Sequence, residues 1–154
     1  MITIRRMKPE DVPEVYEIEK SLFSVPWSEA SFREVTEKDR YVFFVASDLT
    51  RILGFAGMSV VDTEADITNV AVRKEEQRNG IGRALMKVLK GYARDHGIET
   101  VFLEVRASND PAIALYESEG FRQVGQRKDY YESPREDALI YTLNLSEYEE
   151  PHCS

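Results

Sequence analysis

Gln77, Gly80 and Gly82 stand in the spacing Gln-x-x-Gly-x-Gly, and Ile81, Leu85, Val88, Leu89 and Tyr92 follow at helical periodicity. Immediately upstream, Val70-Ala71-Val72 ends an apolar, β-branched run. A strand that stops, a short polar loop and a glycine-bearing helix start make an anion site. The first N–H groups of a helix lack internal acceptors, and its dipole leaves partial positive charge there. Arg78 and Arg83 flank the glycines, with Asn79 and Ile81 between them, and Lys87 and Lys90 continue the positive charge along the helix. Two better-known phosphate loops fail on spacing. A dinucleotide fingerprint needs a third glycine where Leu85 stands, and a P-loop needs Gly-Lys-Ser/Thr, which is absent. The stretch therefore reads as a pyrophosphate cradle, or as a helix start whose glycines serve only a tight turn.

Other residues carry chemistry less openly. Glu104 is the only acid inside Val101-Phe102-Leu103-Glu104-Val105. A carboxylate in such a strand faces water, a partner such as Arg106, or a site. Tyr116 occupies a core-like position in a short helix, where packing is the plain reading, and Asn109 before it suits a cap or a turn. Two polar stretches, Phe23 to Ser28 and Asp129 to Asp137, bear Trp27, Tyr130 and Tyr131 as aromatic walls and Glu136 and Asp137 as attractors for a cation. Ordinary loop packing and solvated charge explain those residues equally well. His96 near a helix end fits a dipole contact. No cluster with metal-ligand spacing is present, so no metal is expected.

The totals bound the class. The chain has 154 residues, enough for one domain with a real core, expected over 1–146 with a polar tail at 147–154. Against 28 acids stand 20 lysines and arginines, for a net charge of −8. That balance argues against a nucleic-acid binder and makes the basic cluster at 78–90 a local feature suited to a small anionic ligand. One cysteine, Cys153, lies with His152 in the tail and excludes an internal disulfide or a thiolate zinc site. With no signal peptide and no apolar run of membrane-spanning length, no membrane contact is expected and the cytoplasm is the expected location.

The elements that must position these residues follow from periodicity and punctuation. Ile2 to Arg6 alternates as a strand; Pro9 opens a helix carrying Val12, Val15, Ile18 and Leu22; Ser28 caps a second with Phe32 and Val35 inward. Strands are expected at 41–46, 52–61 and 65–72, with Gly54 and Gly57 marking close approach or a bulge. The long helix is expected from about Arg78 to about His96, stopped by Gly97, before a strand at 100–106. Asp110 and Pro111 read as N-cap and first turn of a short helix ended by Gly120, and strands at 121–127 and 138–145 close the chain around a polar loop. The fold class is mixed α/β: about seven strands, mostly antiparallel, with a parallel central pair and about four helices.

Gln77-x-x-Gly80-x-Gly82 after Val70-Ala71-Val72 resembles the acyl-CoA loop of the GCN5-related N-acetyltransferases (GNAT), and the element order is similar to that fold from the start to about Leu145. Leu103 to Asn109, Ala112 to Ser118, Gly120-Phe121, Arg127 to Tyr131, Arg135 to Ala138 and Pro26-Trp27-Ser28 resemble its RimI-type branch, which acetylates the N-terminal alanine of ribosomal protein number eighteen of the small subunit. The resemblance implies acetyl-CoA as co-substrate. It implies that Val70, Ala71 and Val72 pair with the pantetheine arm, that the amides of Arg78 to Arg83 wrap the pyrophosphate, and that Asn109 holds the arm. It also implies a base at Glu104, an acid at Tyr116 and backbone N–H near Val72 on the carbonyl oxygen. The same family includes enzymes that acetylate lysine or small amines, and a non-catalytic acyl-CoA-binding module is the reading from another class.

Overall fold

Residues 42–46 and 52–58 are apolar without interruption because both faces of their strands are covered. In the computed structural model, which describes residues 1–146, these stretches form β2 (Tyr41–Ser47) and β3 (Ile52–Val61). Their connection is held by Asp48, whose carboxylate accepts from the backbone N–H of Thr50 at 2.8 Å and of Arg51 at 2.9 Å. The other strands are β1 (Thr3–Arg6), β4 (Glu64–Val72), β5 (Thr100–Arg106), β6 (Arg122–Glu132) and β7 (Arg135–Asn144). They make one seven-stranded sheet in the order β1-β2-β3-β4-β5-β7-β6, in which only β4 and β5 run parallel. The helices are α1 (Val12–Leu22), α2 (Glu29–Glu37), α3 (Ile81–Asp95) and α4 (Asp110–Ser118). The expected class and central parallel pair are what the chain adopts.

Alternation along the strands divides the core in two. Val42, Ala46, Ala56 and Met58 face α3, which presents Ile81, Leu85, Met86, Leu89 and Ala93; Tyr116 and Phe121 complete this layer. Phe43, Val45, Phe55 and Ala71 face the opposite side, where α1 supplies Val12, Val15 and Ile18 and α2 supplies Phe32 and Val35. Trp27 stacks into the second layer, its ring 5.4 Å from Phe32 and 6.1 Å from Phe43. Ser28 caps α2 as expected, accepting from Ser31 N–H at 3.1 Å. No helix among the described residues is long and apolar enough to cross a membrane.

Three expectations shift. The polar stretch 128–137 is not an open loop: β6 runs on to Glu132 and β7 starts at Arg135, with a register irregularity between Arg127 and Tyr131. β6 is the outer strand and mostly exposed, so no hydrophobic alternation marks it. The N-cap of α4 is Asn109, one residue earlier than expected, because its Oδ1 accepts from Ala112 N–H at 3.3 Å. The long helix begins at Ile81 rather than near Arg78, for a reason that belongs to the site. His152 and Cys153 lie outside the described residues.

Candidate active site

A bulge creates the site. The β3–β4 register steps from Gly57↔Asn69 to Met58↔Ile67, leaving Thr68 as an extra residue on β4. Gly57 is needed there, since a Cβ would come within 2.3 Å of the Phe43 ring. On its other side β4 pairs with β5 only from Glu64↔Thr100 to Ile67↔Leu103. Beyond that point β4 stays with β3 and β5 stays with β7, so the parallel pair parts like a V. A cavity of about 900 Å³ fills the opening. Ile67 to Val70 and Leu103 to Arg106 form its walls, Asn109 and Tyr116 come from α4, Glu19, Phe23 and Trp27 from α1 and the loop after it, and Tyr130 and Tyr131 from β6. A smaller cavity of about 280 Å³, lined by Arg6, Lys38, Tyr41 and Tyr92, lies away from these residues.

The cradle is built from backbone. Arg78 and Gly80 are left-handed, at φ +71° and +82°, and this double reversal delays the helix to Ile81. The first intrahelical bond is Ala84 N–H to Gly80 O at 3.0 Å. From Arg78 to Arg83 no backbone N–H has an acceptor among the described residues. Six free donors at a helix start make a nest for an anion. Gln77 shapes the loop: its Nε2 donates to Val72 O at 3.0 Å. Gly80→Ala would force a side chain into the left-handed region, and the expected result is a loss of about 1–2 kcal/mol in urea denaturation together with a raised KM for acetyl-CoA.

Side-chain charge beside the cradle is arranged differently from expectation. Arg83 does not point at the loop. Its Nη1 donates to Glu119 Oε2 at 2.8 Å and to Ser118 Oγ at 2.9 Å. Lys87 and Lys90 approach the same carboxylate at 3.6 and 3.4 Å. Burial pushes the Glu119 carboxyl up, but Lys90, Lys87 and Arg83 outweigh it and hold the group below the ordinary glutamate value. The basic stripe of α3 is thus partly neutralised by a buried acid from the end of α4.

Glu104 and Tyr116 both line the cavity. Glu104 projects from β5 and forms an ion pair with Arg127 of β6, Nε to Oε2 2.7 Å, rather than with Arg106. Tyr116 is buried, and its hydroxyl has no hydrogen-bond partner among the described residues. Burial, with a contribution from Tyr131, pushes its pKa up to about 12. Tyr131 is likewise pushed up to about 12, by burial first and then by the charge of Glu104 and by Tyr130, against the opposing Arg106. These couplings place Tyr116, Tyr131 and Glu104 in one electrostatic neighbourhood, with two neutral phenols and one carboxylate. Asn109 borders the same space, its side-chain oxygen being engaged as the α4 cap.

Trp27, Tyr130 and Tyr131 line the cavity as expected. The Tyr130 and Tyr131 rings meet edge-on at 5.1 Å, and the Arg106 guanidinium lies 4.3 Å from the Tyr131 ring centre. Glu136 and Asp137 do not line it. Glu136 accepts from Ser108 N–H at 2.6 Å and from Arg106 at 3.4 Å, while Asp137 accepts from Asp129 N–H at 2.8 Å. The Ser108 hydrogen bond holds the Glu136 carboxyl below its ordinary value, and the Asp129 amide does the same for Asp137. Glu136 fastens the hairpin to the end of β5 and the turn before α4, whereas Asp137 ties β7 to β6 through Asp129 and Gln126.

Three residues were not expected at the site: Arg127, Glu19 and Asn69. Arg127 gave no local signal, since its contact with Glu104 depends on the register of three strands. Glu19 did give one. It follows Val15 by four residues on the inward face of α1, an unusual place for an acid.

The model of the acetyltransferase (GNAT) family matches residues 12–121. The chain belongs to that family. The match runs from the first residue of α1 to Phe121, so it takes in the cradle, Glu104, Asn109 and Tyr116, and stops before the β6–β7 hairpin. Among GNAT relatives, the ribosomal protein bS18-alanine N-acetyltransferase of Escherichia coli (strain K12) is 41% identical over 148 residues, covering 95% of this chain and 99% of that one. The crystal structure of the ribosomal-protein-S18-alanine N-acetyltransferase from Escherichia coli superposes with a TM-score of 0.89 at 40% identity over 100% of both chains. Arabidopsis thaliana NAA60, in complex with acetyl-CoA, shares the fold with a TM-score of 0.86 at 20% identity, over 95% of this chain and 99% of its own.

Proposed function

We propose that this acetyltransferase carries the acetyl group of acetyl-CoA to the N-terminal α-amine of a protein, and that its acceptor is the N-terminal alanine of ribosomal protein bS18. The observation that carries the acceptor is the 41% identity, over 95% of the chain, to the Escherichia coli enzyme of that name. Unlike the family match, this likeness extends into the β6–β7 hairpin that borders the cavity. The donor side rests on the chain's own backbone: six consecutive N–H groups from Arg78 to Arg83, without acceptors among the described residues, fit a pyrophosphate. The edge of β4 that β5 leaves, from Thr68 to Ala71, fits an extended amide-bearing arm such as pantetheine. A ribosomal acceptor supports the cytoplasm as the proposed place of work.

The chemistry favours an N-terminal amine. An α-amino group near pKa 8 costs only about 1.4 kcal/mol to present as free base at pH 7, whereas a lysine near 10.4 costs about 4.6 kcal/mol. A modest base is therefore enough. In the proposed reaction the amine nitrogen attacks the thioester carbonyl carbon and the carbon–sulfur bond breaks. Glu104 receives the proton that leaves nitrogen, directly or through a water. Tyr116 donates a hydrogen bond to the departing sulfur, and no acyl-enzyme forms.

Release of free thiol from acetyl-CoA tests the reading. Peptides beginning Ala-Arg with a free N-terminus are expected to turn over, and the same peptides with a blocked N-terminus and an internal lysine are not. Turnover of the blocked peptides alone would replace the N-terminal acceptor by a side-chain amine.

A further inference from the structure

Buried carboxylates are normally matched by a cation, because an ionised group taken out of water needs compensation. Three carboxylates are buried among the described residues: Asp11, Glu19 and Glu119. Asp11 has Arg5 at 2.7 Å, and Glu119 has Arg83, Lys87 and Lys90. Glu19 has none. At 3% exposure it is among the most enclosed acids of the protein, and neither of its oxygens has a cationic partner among the described residues. Oε2 accepts from the backbone N–H of Trp27 at 3.0 Å, and Oε1 accepts from Asn69 Nδ2 at 3.3 Å. Both donors are neutral. Burial accordingly pushes the Glu19 carboxyl up, against these two hydrogen bonds.

The same corner is short of donors in a second way. Asn69 Oδ1 is buried and has no partner among the described residues. Glu19 and Asn69 both line the cavity between the parted strands, next to the apolar surfaces of Leu22, Phe23 and Trp27. A carboxylate with spare lone pairs beside an orphaned amide oxygen, in low-dielectric surroundings, is a receptor for a compact group with several N–H donors and positive charge. A primary ammonium has three such donors and no acceptor. The acids first expected to attract a cation, Glu136 and Asp137, are committed elsewhere, so among the described residues this role has no other buried claimant in the cavity.

We propose that the cation missing from Glu19 is the acceptor's own α-ammonium. Glu19, oriented by Trp27 N–H and Asn69, is the carboxylate that docks the amine as it enters, while Glu104 of β5 receives the proton that the free amine loses on attack. The proposal rests on the N-terminal acceptor reading above. It divides between two acids what a single base would otherwise do alone: recognition of the charged amine and removal of its proton.

Equilibrium binding in the presence of CoA separates charge recognition from shape. The ligands are an Ala-Arg-initiated peptide and its des-amino analogue, in which propionyl replaces the first alanine. The wild-type enzyme is expected to bind the amine peptide about tenfold or more tightly, the scale of a charge-assisted hydrogen bond. In Glu19→Gln that preference is expected to collapse towards unity, with the KM for acetyl-CoA within about twofold of wild type. Glutamine keeps the size of the side chain and an oxygen for Trp27 N–H, so a purely structural Glu19 would retain the preference, and that result overturns the proposal. Equal binding of the two peptides by the wild-type enzyme overturns it without any variant, which covers the case in which Glu19→Gln fails to fold. If wild type acetylates a polyamine or an internal lysine and leaves the alanine peptide untouched, the acceptor reading fails instead. Glu19 is then judged by the same comparison, using that amine and its des-amino analogue.

Discussion

Glu104→Gln is expected to lower kcat by about 100- to 1,000-fold, the range of general-base catalysis, with the KM for acetyl-CoA within about twofold of wild type. The substitution keeps size and shape and removes only the capacity to take a proton. Its cost to the fold is small. The Glu104 partner, Arg127, is 59% exposed, and an ion pair with so exposed a cation contributes at most about 1 kcal/mol. Unfolding cannot therefore account for a loss of that size. Arg127→Gln is the control. If Glu104 served only to anchor β6 through Arg127, removing either partner would have the same effect on turnover. A base at Glu104 predicts instead that Arg127→Gln retains most of kcat. Near-normal turnover in Glu104→Gln would remove the residue from the reaction.

Tyr116→Phe is expected to lower kcat by about 100-fold, comparable to the loss of one preorganised donor. The ring stays in place beside Phe121, at a centroid distance of 6.1 Å, and the hydroxyl deleted has no partner within the described protein, so stability should change little. With its pKa at about 12, Tyr116 is protonated throughout the working pH range. For the same reason it is a poor acid for complete proton transfer to a thiolate whose ordinary pKa is near 8.5. The contribution proposed for it is hydrogen bonding to sulfur as charge develops, and that makes a sharper test available. The Tyr116→Phe defect should shrink with an acetyl thioester of a more acidic thiol, which needs less help to depart. A defect independent of the leaving group would place Tyr116 in packing or in acyl positioning.

Local punctuation made much of this fold legible. Ser28 as a cap and Gly97 as a left-handed stop at φ +75° depend on neighbours within a few residues. The apolar runs of β2 and β3 announced strands covered on both faces. The hairpin arms 128–137 were illegible because β6 is an exposed outer strand whose pairing is carried by backbone. At the site, Gln77, Gly80 and Gly82 marked the cradle, but the glycine spacing carries no information about Arg78 at φ +71°, which moves the helix start. The acidic character of Glu136 and Asp137 was visible, and their destination was not, since it depends on β7 facing Ser108 and Asp129. Glu104 stood out as an acid in an apolar strand, yet its neighbour Arg127 is set by strands joined far along the chain. Glu19 was the missed opportunity: an acid in register with Val12, Val15 and Ile18 contradicts the amphipathic pattern that places it there.

The bulge at Thr68 has a consequence for how the protein coexists with others. An unpaired strand edge is normally a hazard, because any extended chain can add to it and propagate aggregation. Here the bare edge of β4 lies in the middle of the sheet, with β5 a few residues away on one side and helices above and below. Another protein's strand, carrying side chains on both faces and needing a full inter-strand spacing along its length, cannot lie down in so tapered an opening. A slender, flexible molecule can. By parting two strands internally instead of exposing one at the rim, the fold keeps an adhesive stretch of backbone and excludes the polypeptides that would misuse it.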